Sequence, residues 1–265
     1  MREAVDASWL AALRAGADQP PLRPRVPLRA GSAVIGSVEP GFLRPVAALQ
    51  ARHGGLLLHD SGADGWVLQG DPTAGLALLA NAMREAGLAH AWRNEQLAVT
   101  DAHGQVVATV ERAVVRGLGV RTRAVHLVGL APDGRVWLQQ RSFTKANDPG
   151  LWDTLMGGMI AAADSLATAL ARETWEEAGL VLEQLAEVAW GGRISIRRPS
   201  TDGGGAGYVV EDIDWFRCVV PHGMTPINQD GEVEGFKLEA REGIAMRLAD
   251  GAFTPEAALI LCDAL

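Results

Sequence analysis

Only two of 265 residues are cysteine, Cys218 and Cys262, and they form no CxxC pair. That scarcity argues against a disulfide framework and a thiolate zinc site and suits a reducing compartment. Long apolar runs are missing too. No stretch approaches the roughly 20 apolar residues of a membrane span, and MREAVDASWLAALRAGADQP at the start holds no uninterrupted apolar core of the signal-peptide kind. A soluble, cytoplasmic protein without a membrane partner is the expectation. Basic clusters are equally scarce. RISIRRPS at 193–200 comes nearest, and the net charge of −8 repels nucleic acid polymers and anionic membrane surfaces. The six histidines are scattered, with no pair at metal-ligand spacing. No serine stands in a nucleophile elbow, and no fixed-period repeat marks a solenoid. A chain of this charge that handles phosphate needs a metal cation as intermediary.

Apolar residues make up 48% of the chain, enough for a sizeable core, and 265 residues accommodate two domains. Residues 4–15 have the pattern of a short amphipathic helix ended by Gly16. DQPPLRPRVPL, with four prolines between 20 and 27, predicts an extended connector. SAVIGSV, LLLHD and GWVLQG read as strands, PGFLRPVAALQARHG as turn then helix, and DPTAGLALLANAMREAG as a helix capped at Asp71 or Thr73. QLAVTD and QVVATVER predict a hairpin. These segments make residues 1–115 a small α+β domain and leave 116–265 as a second unit. There AVHLVGLA and VWLQQRS form a hairpin, and FTKANDPGLWDTLMGGMI a loop and strand; an acidic helix follows over 164–178. RISIRRP and YVVEDIDWFRCVV are strands around a glycine-rich loop. FKLEAREGIAMRLADG is strand then helix, and FTPEAALILCDAL a closing helix with Thr254 as cap and Pro255 at its first position.

The acidic helix carries the chemistry. In ALARETWEEAGL, at about 100° per residue, Ala167, Leu170, Ala171, Thr174 and Ala178 share a small apolar arc. Glu173, Glu176 and Glu177 share the neighbouring arc. Like charges at these spacings repel, and a packed neighbour limits their solvation. A solvated face is the ordinary reading of helical glutamates. Here a divalent cation, which prefers clustered oxygens, would reverse the sign of the repulsion. Arg172 stands four residues before Glu176 and can brace it. Asp164 or Ser165 can cap the helix and Gly179 can end it. Gly157 and Gly158 upstream allow close backbone approach to a ligand.

Gly158, Asp164, Arg172, Glu173, Glu176, Glu177, Gly179 and Leu180 together resemble the Nudix box. Asp164 replaces the usual glutamate, and Thr174 fills an apolar place. The resemblance implies an α/β/α sandwich with a mixed sheet, preceded here by the small α+β domain. It further implies hydrolysis of a diphosphate joined to another moiety. Mg²⁺ or Mn²⁺ would be held by Glu173, Glu176, Glu177 and the Gly157 carbonyl, and Arg172 would orient the glutamates. A later loop often adds an acid in this family; DGEVEGF offers Glu232 or Glu234. Arg141 and Lys145 are phosphate contacts or surface cations. RSFTKANDPGLWDTLMGG together with ARETWEEAGL is similar to the Nudix domain fused to thiamine pyrophosphokinase in fungi. That implies thiamine diphosphate, or its damaged analogues, as the small-molecule substrate. The alternatives are a nucleoside diphosphate derivative (ADP-ribose, NADH or a sugar nucleotide), a non-catalytic ligand sensor and an isomerase on the same fold. The N-terminal unit is expected to help select the substrate, and a homodimer stays open. Trp92, Trp152, Trp175 and Trp190 are expected in the core rather than stacked on a ligand ring.

Overall fold

A computed structural model describes residues 7–265 except 50, 51, 53, 56, 90 and 146. Residues 4–6 of the expected first helix, Gln50, Ala51 and His53 of the second, and Leu56 of LLLHD lie outside the described residues. The first half contains α1 (Ala7–Ala17), β1 (Val26–Ala30), β2 (Ala33–Val38), α2 (Arg44–Ala47), β3 (Leu58–Asp60), β4 (Trp66–Leu68), α3 (Pro72–Glu85), β5 (Gln96–Thr100) and β6 (Val106–Glu111). Strands β2-β1-β4-β3 form one sheet, and β5-β6 a separate hairpin. In α3, Asp71 accepts from the Ala74 N–H at 2.8 Å, and Pro72 takes an early position where no N–H is needed. Its buried Leu76, Leu79, Ala80 and Met83 follow helical spacing and join the core with Leu28, Trp66, Leu97 and Val110.

Three expectations change in this half. The helix α1 runs through Gly16 to Ala17, because Trp9, Leu13 and Ala17 pack with the closing helix of the chain. A tertiary face outweighs the roughly 1 kcal/mol that a helical glycine costs. The proline-rich connector ends in strand β1. Pro27 is tolerated because β4 pairs only with Leu28–Ala30, so the missing N–H lies outside the stretch bonded on both sides. The second helix, expected within PGFLRPVAALQARHG, is the four-residue α2 among the described residues.

The second half contains β7 (Arg121–Leu130), β8 (Val136–Arg141), β9 (Trp152–Asp153), β10 (Met156–Met159), α4 (Leu166–Ala178), β11 (Ala186–Ser200), α5 (Asp202–Gly205), β12 (Gly207–Val219), β13 (Val233–Glu239), α6 (Arg241–Ala249) and α7 (Pro255–Ala264). Gly203 and Gly204 take left-handed φ of 60° and 68°, so α5 is a glycine turn rather than a true helix. The strands form one seven-stranded mixed sheet, β11-β12-β7-β8-β13, with β10 added to β7 and β9 to β8. It is mixed because β12 pairs with β7 in parallel and the other neighbours are antiparallel.

Burial in β7 is continuous from Ala124 to Gly129, as a strand covered on both faces requires. Val125 and Leu127 pack with Ala169, Leu170 and Ala178 of α4. Ala124 and Val128 pack on the other side with Ile244 and Leu248 of α6, Ile260 of α7 and the apolar face of α1. This is the expected α/β/α sandwich. Strands β7 and β8 pair only at Gly129–Leu130 with Val136–Trp137. Beyond that point β10 lines one strand and β9 the other. The functional residues gather where the two parted strands open.

Candidate active site

Helix α4 starts on Ser165, whose side chain closes a capping box with Thr168, and ends on Gly179 at φ 63°. Ser165 rather than Asp164 is the cap, which frees Asp164 for Arg172. The guanidinium donates to Asp164 Oδ2 through Nε at 3.0 Å and Nη2 at 2.8 Å. Its Nη1 donates to Glu173 Oε1 at 3.0 Å and Glu176 Oε2 at 2.8 Å. One planar fork therefore fixes three acids. Thr174 fits its buried place by donating its hydroxyl to the Leu170 carbonyl at 2.6 Å.

The buried arc of α4 comprises Ala169, Leu170, Thr174, Glu177 and Ala178. Ala167, expected on it, is exposed. Glu177, expected beside the packed arc, stands in its middle at 2% exposure. Burying a carboxylate is tolerable only with partners. Glu177 Oε2 accepts from the Gly157 N–H and from Gln139 Nε2, each at 2.9 Å, and Lys145 Nζ lies 3.6 Å from Oε1. Burial raises its pKa, opposed by Lys145, the Gly157 N–H and Gln139. Burial also pushes Glu173 up to about 7, with Glu177 and Glu176 adding to the rise and Arg172 opposing it. Gly158 allows this placement, since a Cβ there would overlap the Glu173 carboxyl group.

Glu173, Glu177, Gly157 and Gly158 line a cleft of ≈ 340 Å³. Arg141, Lys145 and Glu232 line it too. Lys145 bonds Glu232 at 2.5 Å. Burial alone would raise Glu232, but Lys145 together with Arg93 and Arg112 holds it below the usual carboxylate range. Arg141 lies 3.6 Å from Asp153 through Nη1 and donates from Nη2 to the Asn147 carbonyl at 3.1 Å. Glu234 is exposed on β13, outside the lining of the cleft. Glu176 is also outside the lining, 42% exposed on the Arg172 side.

Several cleft residues carried no motif. Arg112 and Arg116, from the segment between β6 and β7, reach into it, as do Arg198, Glu211 and His126. Gln139 is the partner of a buried glutamate, and a neutral amide in a strand gives no chemical cue. Its one trace is a polar residue beside buried Leu138 in β8. Trp175 and Trp190, expected in the core, are 51% and 60% exposed. Neither they nor Trp92 and Trp152 line the cleft; Trp92 and Trp152 stack beneath Arg84 and Arg247.

One buried and one partly buried carboxylate, facing a cleft and disfavoured as anions, are the donor set that a hard divalent cation suits. Glu173 and Glu177 fit such an ion. Glu176 is engaged by Arg172, and among the described residues no three or more acidic, histidine or cysteine side chains form a ready metal cage.

The NUDIX domain family matches residues 120–257. Nudix hydrolase 20, chloroplastic, of Arabidopsis thaliana is 31% identical over 182 residues, covering 63% of this chain and 45% of that protein. An uncharacterized protein of Saccharomyces cerevisiae is 27% identical over 190 residues, covering 66% of this chain and 54% of its own length. The chain thus spans about half the length of these curated relatives. The crystal structure of DR0079 from Deinococcus radiodurans superposes with a TM-score of 0.52 at 20% identity, over 64% of this chain and 100% of that one, which shows a shared fold. With the family matched over more than half of its residues and the box assembled at the cleft, the chain belongs to the Nudix family.

Proposed function

We propose that the chain is a metal-dependent pyrophosphohydrolase that cleaves a diphosphate joined to a small organic group. The observation that carries this reading is the pair Glu177, buried, and Glu173, partly buried, both hard to ionise unaided and set against two glycines in a cleft that also holds five cationic side chains. Glu173 and Glu177, with Glu176 and the Gly157 carbonyl as further donors, would hold a divalent cation, Mg²⁺ or Mn²⁺, which when bound would supply charge neutralisation and lower the pKa of a water. The protein's own groups do the rest. Arg141 and Lys145 attract and orient the phosphates. Arg172, anchored on Asp164, keeps Glu173 and Glu176 in one orientation. Glu232 is held ionised beside Lys145, and we assign to it the proton of the attacking water.

The division into residues 1–115 and 116–265 is part of this reading, with the first unit selecting the substrate through Arg112; Arg116 follows just past the boundary. No tryptophan, tyrosine or phenylalanine lines the cleft, so recognition rests on charged and polar groups. Thiamine diphosphate and its damaged analogues are the substrates we favour; ADP-ribose, NADH and sugar nucleotides are the competing class. A panel of all of these with Mg²⁺ or Mn²⁺, assayed for phosphate-ester products, tests the proposal. Metal-dependent turnover of one class supports it. Tight binding with no turnover of any overturns it in favour of a ligand sensor.

A further inference from the structure

A second buried acid lies in the cleft, on the sheet rather than on α4. Glu211 of β12 is 8% exposed and lines the cavity. Strand alternation puts Val209, Glu211 and Ile213 on one face, and the parallel register sets Thr122 beside Glu211 and Ala124 beside Ile213. Val209, Ile213 and Ala124 line the cleft as well, so the carboxyl group sits in an aliphatic frame. The Thr122 hydroxyl donates to Glu211 Oε2 at 3.2 Å. Oε1 has no hydrogen-bond partner among the described residues and is not sealed from solvent.

A buried acceptor left open in a cavity calls for an N–H or O–H donor from the ligand. The charges around it narrow the choice. Arg116 acts on Glu211 from nearby, and Arg198, in register with Val209 on β11, lines the same cleft. Each guanidinium is also held by an acid, Arg116 by Asp202 at 3.4 Å and Arg198 by Glu256 at 3.2 Å. A flat ring with a neutral amine suits the aliphatic walls and can stack on a planar guanidinium. We infer that Glu211 is a recognition residue for the non-phosphate half of the substrate, its Oε1 accepting a hydrogen bond from the exocyclic amine of an amino-substituted heteroaromatic ring. This rests on the diphosphatase reading, in which the diphosphate lies at the Glu173 and Glu177 end.

The test uses methylene-bridged, non-hydrolysable diphosphates in matched pairs that differ only by an amino or an oxo group on the ring: adenine against hypoxanthine, and 4-aminopyrimidine against 4-oxopyrimidine. Affinity is measured by calorimetry with Mg²⁺. The wild type is expected to bind the amino member of at least one pair about tenfold or more tightly than the oxo member. In Glu211→Gln the Thr122 hydroxyl keeps the side-chain oxygen, so the amide nitrogen faces the cleft and the preference flattens or reverses. Thr122→Val gives a second readout with Glu211 intact: discrimination narrows because the carboxyl group loses its anchor. Equal wild-type affinity for both members of each pair overturns the inference, and so does an equal loss for both members in Glu211→Gln. A wild type that prefers the amino analogues but hydrolyses no diphosphate in the substrate panel overturns the diphosphatase reading and leaves the Glu211 contact standing.

Discussion

The Gly157 backbone N–H donates to Glu177 Oε2 at 2.9 Å, so a strand residue holds a carboxylate from the centre of a helix's buried face. Through this bond β10 and α4 position each other, and the negative end of Glu177 is aimed at the cleft. Substituting Glu177→Gln keeps the shape and removes the charge. Metal-dependent hydrolysis is expected to fall by a factor on the order of 10² or more. The melting temperature should hold or rise, because a buried carboxylate costs more than an amide. Steady-state kinetics paired with thermal melts check both halves, and full activity in the variant refutes the assignment.

Glu173 gives a pH signature. Its folded pKa of about 7 lies above the ordinary glutamate value of 4.5. The folded state therefore binds the proton more tightly than the unfolded chain, and this group's contribution to stability is lost as pH rises from about 4.5 to about 7. In EDTA the melting temperature should decline by a few degrees across that window. Mg²⁺ should restore more stability at pH 7.5 than at pH 5, since the cation binds the ionised form. Glu173→Gln should flatten both trends. A wild-type profile insensitive to pH and to Mg²⁺ contradicts this account.

Gly158→Ala puts a methyl group into the space of the Glu173 carboxyl group. The side chain can swing away, so the fold should lose no more than about 1 kcal/mol. Its place at the cleft should be lost, with kcat falling at least about tenfold. Denaturant titration alongside kinetics separates the two effects. A variant with normal kcat shows that Glu173 is not required where it stands.

Arg172 binds Asp164, Glu173 and Glu176 with one fork, and lysine cannot reproduce that geometry. Arg172→Lys should lower kcat about tenfold with a smaller change in KM, since the residue orients ligands rather than substrate. Asp164→Asn should produce a weaker form of the same defect. The double variant should lose less than the sum, because both changes release the same guanidinium. Strict additivity in the cycle argues that Asp164 acts elsewhere.

Much of this was legible in the chain because local rules and the tertiary fold agree. Helix α3 starts at Asp71 as its cap chemistry predicts, and the α4 box lies where its arginine and glutamates place it. Three of the misreadings share one cause: a tertiary partner outweighed a local preference. Pro27 entered a strand because its neighbour on one side stops short. Gly16 stayed helical because α1 has an apolar wall to pack on. Glu177 moved from beside the packed arc to its middle because Gln139, Lys145 and a backbone N–H, distant in sequence, make burial tolerable. Glu211 and Arg116 were silent for the same reason, since only the register of β12 on β7 and the path into β7 bring them to the cleft.

Helix α1 packs on α7 and on β11, and Arg197 pairs with Asp18 just after it. The first helix in sequence thus walls the seven-stranded sheet rather than the sheet β2-β1-β4-β3 that follows it. Deleting residues 1–115 would strip the apolar cover that Trp9, Leu13 and Ala17 give α7, so a truncation that spares the closing helix has to keep α1.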